Sequence, residues 1–93
     1  MTLQIRLVKQ FKKDLKRFLH QKDVLKDLEQ AIATLEKEQM LPAKFRDHAL
    51  IGNWMGYREC HIRGDLLLVY KICKQENVLF LVAFGSHAEV LDI

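Results

Sequence analysis

At 93 residues the chain is the size of one domain (1–93), since halving it would leave two cores too small to outweigh their chain entropy. Apolar residues make up 49% and charged residues 29%, with one proline and four glycines, which excludes disorder and low-complexity linkers. The formal net charge is +3, yet residues 1–46 hold 11 Lys and Arg against 6 acids and residues 47–93 hold 4 against 6. The positive field is therefore local and suits a polyanion docked on one side, most often nucleic acid.

The longest apolar run, Val78 to Phe84, has seven residues, against the roughly 20 needed to cross a bilayer. Met1 to Lys13 has no apolar stretch resembling a secretory signal, so the expected location is the cytoplasm, without a membrane partner. Cys60 and Cys73 are too few for a disulfide scaffold and lack Cys-x-x-Cys spacing. They are expected as free thiols, with no metal and no cofactor.

Thr2 to Val8 alternates Leu3, Ile5 and Leu7 with Gln4 and Arg6, the period of a half-buried strand. From Lys9 the period becomes helical: Phe11, Leu15, Phe18 and Leu19 share one face, and Lys9, Lys12, Lys13, Lys16 and Arg17 another. Asp23 is placed to cap a second helix carrying Val24, Leu28, Ala31, Ile32 and Leu35, and the two helices are expected to pack as a pair. Met40 to Gly56 holds no period and carries His48 and Trp54 among turn residues. Three strands follow, Tyr57 to Arg63, Leu66 to Cys73 and Val78 to Phe84, joined by turns at Gly64-Asp65 and Lys74 to Asn77. The expected fold is α+β, with the helices on one face of a four-stranded sheet made of the N-terminal strand and an antiparallel meander.

An uninterrupted ladder places His61 opposite Leu68, Leu68 opposite Ala83 and Leu66 opposite Gly85, with His61, Asp65 and His87 on one side at one sheet end. Cys60, Ile62, Leu67, Val69, Val78, Phe80, Val82 and Phe84 form the more apolar side, assigned to helix packing, which leaves the polar face open. Neighbouring imidazoles beside a carboxylate suit RNA cleavage. A base takes the 2′-OH proton, an acid protonates the leaving 5′-oxygen, and a cation stabilises the phosphorane between them. Only ribose carries that internal nucleophile.

The segment GNWMGYRECHIRGDLLLVYK, Gly52 to Lys71, with RDHAL before it and GSHAEVL after it, resembles the YafQ-like toxins of the RelE/ParE superfamily. His48, Trp54, Gly56, Tyr57, Arg58, His61, Asp65, Tyr70, Lys71, Gly85 and His87 stand in matching places. The resemblance covers nearly the whole chain. It implies a RelE-like fold and a type II toxin that cleaves messenger RNA on the ribosome, with rRNA contacts, a cognate antitoxin, and DNA contact only through the antitoxin complex. It also implies acid-base chemistry at His48, His61, Asp65 and His87. Lys9, Lys12, Lys13, Lys16, Arg17 and Arg63 are the expected RNA-binding cations. Two positions depart from the family: Ala83 stands where a phosphate-binding arginine is typical, and Leu91 where an aromatic is, so Arg63 or a protonated histidine is the expected stand-in. These departures keep a non-enzymatic reading alive, either a gyrase poison of the ParE kind or a degenerate toxin acting as a regulatory subunit.

Overall fold

A computed structural model describes residues 2–91 of the chain. The elements in order are β1 (Gln4–Leu7), α1 (Lys9–Lys16), α2 (Lys22–Glu36), β2 (His48–Ala49), β3 (Arg58–Arg63), β4 (Leu66–Cys73), β5 (Val78–Ser86) and α3 (His87–Leu91). The sheet runs β1-β5-β4-β3-β2 and so has five strands, one more than expected. The added strand pairs only His48 with Glu59 and Ala49 with Arg58, too short for any alternation to show in the sequence. Among the described residues no helix is long and apolar enough to cross a membrane.

β1 runs parallel to β5, with Ile5 opposite Leu79 and Leu7 opposite Leu81. α1 lies over β5 and α2 over β3, so each helix packs chiefly on the sheet rather than on its neighbour. Phe11 and Phe18, followed by Val24, Leu28, Ala31 and Leu35 of α2, meet Cys60, Ile62, Leu68, Tyr70, Leu79, Leu81 and Phe84 in the main core. The Phe18 and Phe84 ring centroids are 4.8 Å apart. Asp23 sits in the first turn of α2, where a negative charge suits the helix dipole, while Gln21 holds the cap position.

Two bulges overturn the uninterrupted ladder. In β3, His61 pairs with Leu67 and Arg63 with Leu66, leaving Ile62 without a partner. In β5, Ala83 pairs with Val69 and Leu81 with Tyr70, leaving Val82 as the extra residue. An extra residue interrupts the strict alternation of faces, so His61 lines up with Leu67 and Gly85 instead of Leu68 and Ala83. Leu68 packs in the helix-side core, whereas Leu67, Val69, Val82 and Ala83 belong to a second cluster with Val90, Leu91, Leu50, Trp54 and Tyr57. The face expected to be open and polar therefore has an apolar centre covered by α3 and the β2–β3 connection.

β1 reaches only as far as Leu81, and the amide of Phe84 beyond it is taken by a side chain: Phe84 N–H donates to Asp14 Oδ2 at 3.0 Å. Gln10 Nε2 donates to the other oxygen at 2.8 Å. The buried Asp14 of α1 thus continues the hydrogen bonding that β1 leaves unfinished. Replacing Asp14 by Ala would leave a buried amide unsatisfied, a loss of about 2 kcal/mol readable as a lower urea midpoint at unchanged slope. Asp14→Asn, which keeps an acceptor, should lose less.

Candidate active site

One polar contact on the α3-covered face is a pair the sequence did not single out. His48 Nε2 lies 2.9 Å from Glu59 Oε1 across the β2–β3 ladder, and His48 Nδ1 lies 2.9 Å from the Arg46 carbonyl oxygen. The Glu59 side chain is 4% exposed and that of His48 51%. Glu59 Oε2 is buried with no hydrogen-bond partner.

Asp47 fixes the entry to this pair. Its carboxylate accepts from Arg58 Nη2 at 3.1 Å and Nε at 3.4 Å, and from the Tyr70 hydroxyl. Burial, together with the bond to Asp47, raises the Tyr70 phenol above its ordinary value. Its own bond to Asp47 raises the Arg58 guanidinium, which is thereby committed to the loop. Beyond Ala49, Leu50 N–H donates to the Tyr57 carbonyl at 2.9 Å, closing the connection. Trp54 and Tyr57 meet edge to face at 5.4 Å, with the Lys71 ammonium 5.3 Å from the Tyr57 ring centre. These aromatics thus cover the sheet rather than stand free.

His61 follows Glu59 by two residues on the same strand and face, and its row continues through Leu67 to Gly85. Asp65 is exposed in the two-residue turn, whose Gly64 has φ +55°, a value glycine adopts without strain. His87 opens α3 directly after Ser86, which pairs with Leu66 at that turn. All three therefore lie at one sheet end, but among the described residues no hydrogen bond joins them to one another.

α3 was not expected, although the pattern Ser86-x-x-Glu89 signals it. Glu89 Oε1 accepts from Ser86 N–H at 3.0 Å, and Ser86 Oγ accepts from Glu89 N–H at 3.3 Å, a reciprocal capping box. Arg17 Nη1 adds a bond of 2.6 Å to Glu89 Oε2, tying α1 to α3. A Cβ at position 85 would lie 2.9 Å from Arg17 Nη2 and 3.2 Å from Glu89 Oε1, so any larger residue there would have to push aside the ends of this ion pair.

The expected RNA-binding cations separate into two groups. Lys9, Lys12, Lys13 and Lys16 are exposed along α1, while Arg17 is engaged by Glu89 and Arg63 by Asp27 at 2.7 Å. The β3 bulge gives Arg63 the side of Ile62, toward α2, and not the side of His61. Sequence reasoning passed over Lys44 and Arg46, which share with His61 and Arg63 a cleft of about 440 Å³ beside β3. Both thiols are free, and burial pushes Cys60 up to about 12. Among the described residues no three His, Cys, Asp or Glu side chains stand so as to hold a metal ion.

A family model described as bacterial toxin of type II toxin-antitoxin system, YafQ, matches residues 3–92. The mRNA interferase toxin YafQ of Escherichia coli K12 is 42% identical over 48 residues, 52% of this chain and 50% of that one. The chain spans about half the length of the curated relatives it matches. A metal-bound toxin from Helicobacter pylori superposes with a TM-score of 0.87 at 49% identity, over 95% of this chain and 98% of that one. The E. coli DinJ-YafQ toxin-antitoxin complex matches with a TM-score of 0.83 at 30% identity, over 97% and 98%.

The bonds from Arg17 and Ser86 hold the Glu89 carboxyl down at about 2, against its ordinary 4.5. A carboxylate depressed in the folded state adds stability that is fully present above pH 4.5 and lost as pH falls through 2. Urea midpoints of wild type and Glu89→Gln should therefore differ near neutrality and converge toward pH 2; a difference independent of pH would contradict this coupling.

Proposed function

The chain belongs to the YafQ family of bacterial type II toxins, and from that premise we propose that it is an endoribonuclease that cleaves messenger RNA on the ribosome. The observation that carries this reading is the gathering of ionisable side chains on β2, β3 and the β5–α3 junction. A carboxylate-backed imidazole, His48, stands across from Glu59, His61 follows on the same face, and His87 begins the helix at the adjoining sheet end. Imidazole titrates near pH 6.5, so it serves as base or acid around neutrality.

In the proposed step, His61 or His48 removes the 2′-OH proton and the 2′-oxygen attacks phosphorus. The bond to the 5′-oxygen breaks as His87 protonates that oxygen, leaving a 2′,3′-cyclic phosphate and a 5′-OH end. Asp65 orients an imidazole from the turn. The lysine face of α1 meets rRNA, where each neutralised phosphate releases counterions, and Lys44 and Arg46 add a second contact beside His61. Arg17 and Arg63 contribute less, because each is held by a carboxylate.

A cognate antitoxin restrains the enzyme by laying a peptide over the face that carries His48 and His61, and its own DNA-binding part supplies any contact with DNA. The existence of an antitoxin complex of an E. coli relative supports this. The rival reading, a non-enzymatic regulatory subunit or gyrase poison, is favoured by the neutral Ala83 of β5 and Leu91 of α3, both buried in one apolar cluster.

Primer extension on messages after brief induction separates the two. Breaks within translated messages are expected, suppressed when the antitoxin is co-expressed. His87→Ala should lower cleavage about 100-fold or more while still binding antitoxin. DNA damage without message breaks would support gyrase poisoning, and full cleavage by His87→Ala would remove it as the acid.

A further inference from the structure

Phosphoryl transfer through a phosphorane builds negative charge, which a cation held in place stabilises without reorganisation. Three arginines around the site are already engaged: Arg58 by Asp47, Arg63 by Asp27 and Arg17 by Glu89. Lys44 and Arg46 are exposed on long side chains. The His48 ring is fixed at both nitrogens.

Both of those partners are acceptors. A carbonyl oxygen has no proton to give, so the 2.9 Å contact to Arg46 O requires a proton on Nδ1. An ionised carboxylate has none either, so the 2.9 Å contact to Glu59 Oε1 requires one on Nε2. Against an ionised Glu59 the ring meets both only as an imidazolium, which has no lone pair left to take a proton. Glu59 has the matching need. Its side chain is 4% exposed and its second oxygen has no partner, and a buried carboxylate is tolerated when a counter-charge touches it. Asp47 does not compete for His48, being bound to Arg58 and Tyr70.

We propose that Glu59 is a positioning residue that holds His48 as an imidazolium, making His48 the preformed cation of the site and leaving His61 as the base. This rests on reading the chain as a ribonuclease. The half-exposed ring presents its charge outward while its nitrogens stay bound at the strand pair.

The test begins with the free protein, by ring ¹⁵N shifts of His48 at neutral pH. Protonated shifts at both nitrogens are expected in wild type, and one bare nitrogen in folded Glu59→Gln, whose amide removes the counter-charge. A bare nitrogen in wild type overturns the proposal whether or not the chain cleaves RNA. The second arm measures cleavage of ribosome-bound message. His48→Gln should lose about 100-fold and His48→Arg less than about tenfold, since arginine supplies charge but no base. Equal losses in the two variants would overturn the proposal. Wild-type protein that cleaves nothing would remove the ribonuclease reading, while the ring spectrum still decides the charge of His48.

Discussion

Everything the site does depends on the register of the central three strands, and that register is set by two residues that have no partner. Ile62 in β3 and Val82 in β5 each add one position to a strand whose neighbour has none to match. Side chains alternate strictly only while the ladder is regular. Past Ile62, Arg63 faces α2 and is neutralised by Asp27, while His61 keeps the face of Glu59 and His48. Past Val82, Phe84 returns to the helix-side core and Gly85 arrives in the row of His61. The turn residues and the start of α3 are thereby brought to the strand end where His61 lies.

Around that register the chain uses carboxylates as fasteners. Asp14 takes the amide that β1 leaves free, Asp47 holds the approach to β2 through Arg58 and Tyr70, and Glu89 ties α3 to α1 while capping its first turn. Glu59 stands apart, because one of its oxygens has no partner and the other touches an imidazole. A buried, incompletely satisfied carboxylate costs stability, and its contact with His48 offsets part of that cost. The lysines of α1, exposed and away from these contacts, remain available to a polyanion.

The helices and long strands were legible because their periods are strong: Phe11 and Phe18 in one helix, Val24, Leu28 and Leu35 in the next, and the turn at Gly64-Asp65 all fall where the spacing puts them. Neither bulge was legible, since an extra apolar residue in a run such as LVAFG leaves the composition unchanged while reversing every face beyond it. For that reason Leu67 and Val69 were assigned to the wrong side and Arg63 to the face of His61. β2 was too short to show a period. α3 announced itself in Ser86-x-x-Glu89, but the apolar run before it reads as a strand continuing to its end. Glu59 and Asp47 act through partners brought near by the fold, which spacing alone does not display.

Backbone NOEs across the central strands test this register most directly. Contacts joining His61 to Leu67, and Leu67 to Gly85, are predicted, with Ile62 and Val82 lacking cross-strand partners. Contacts joining His61 to Leu68 and Leu68 to Ala83 would contradict it, because that ladder carries no bulge and returns Arg63 to the side of the imidazoles.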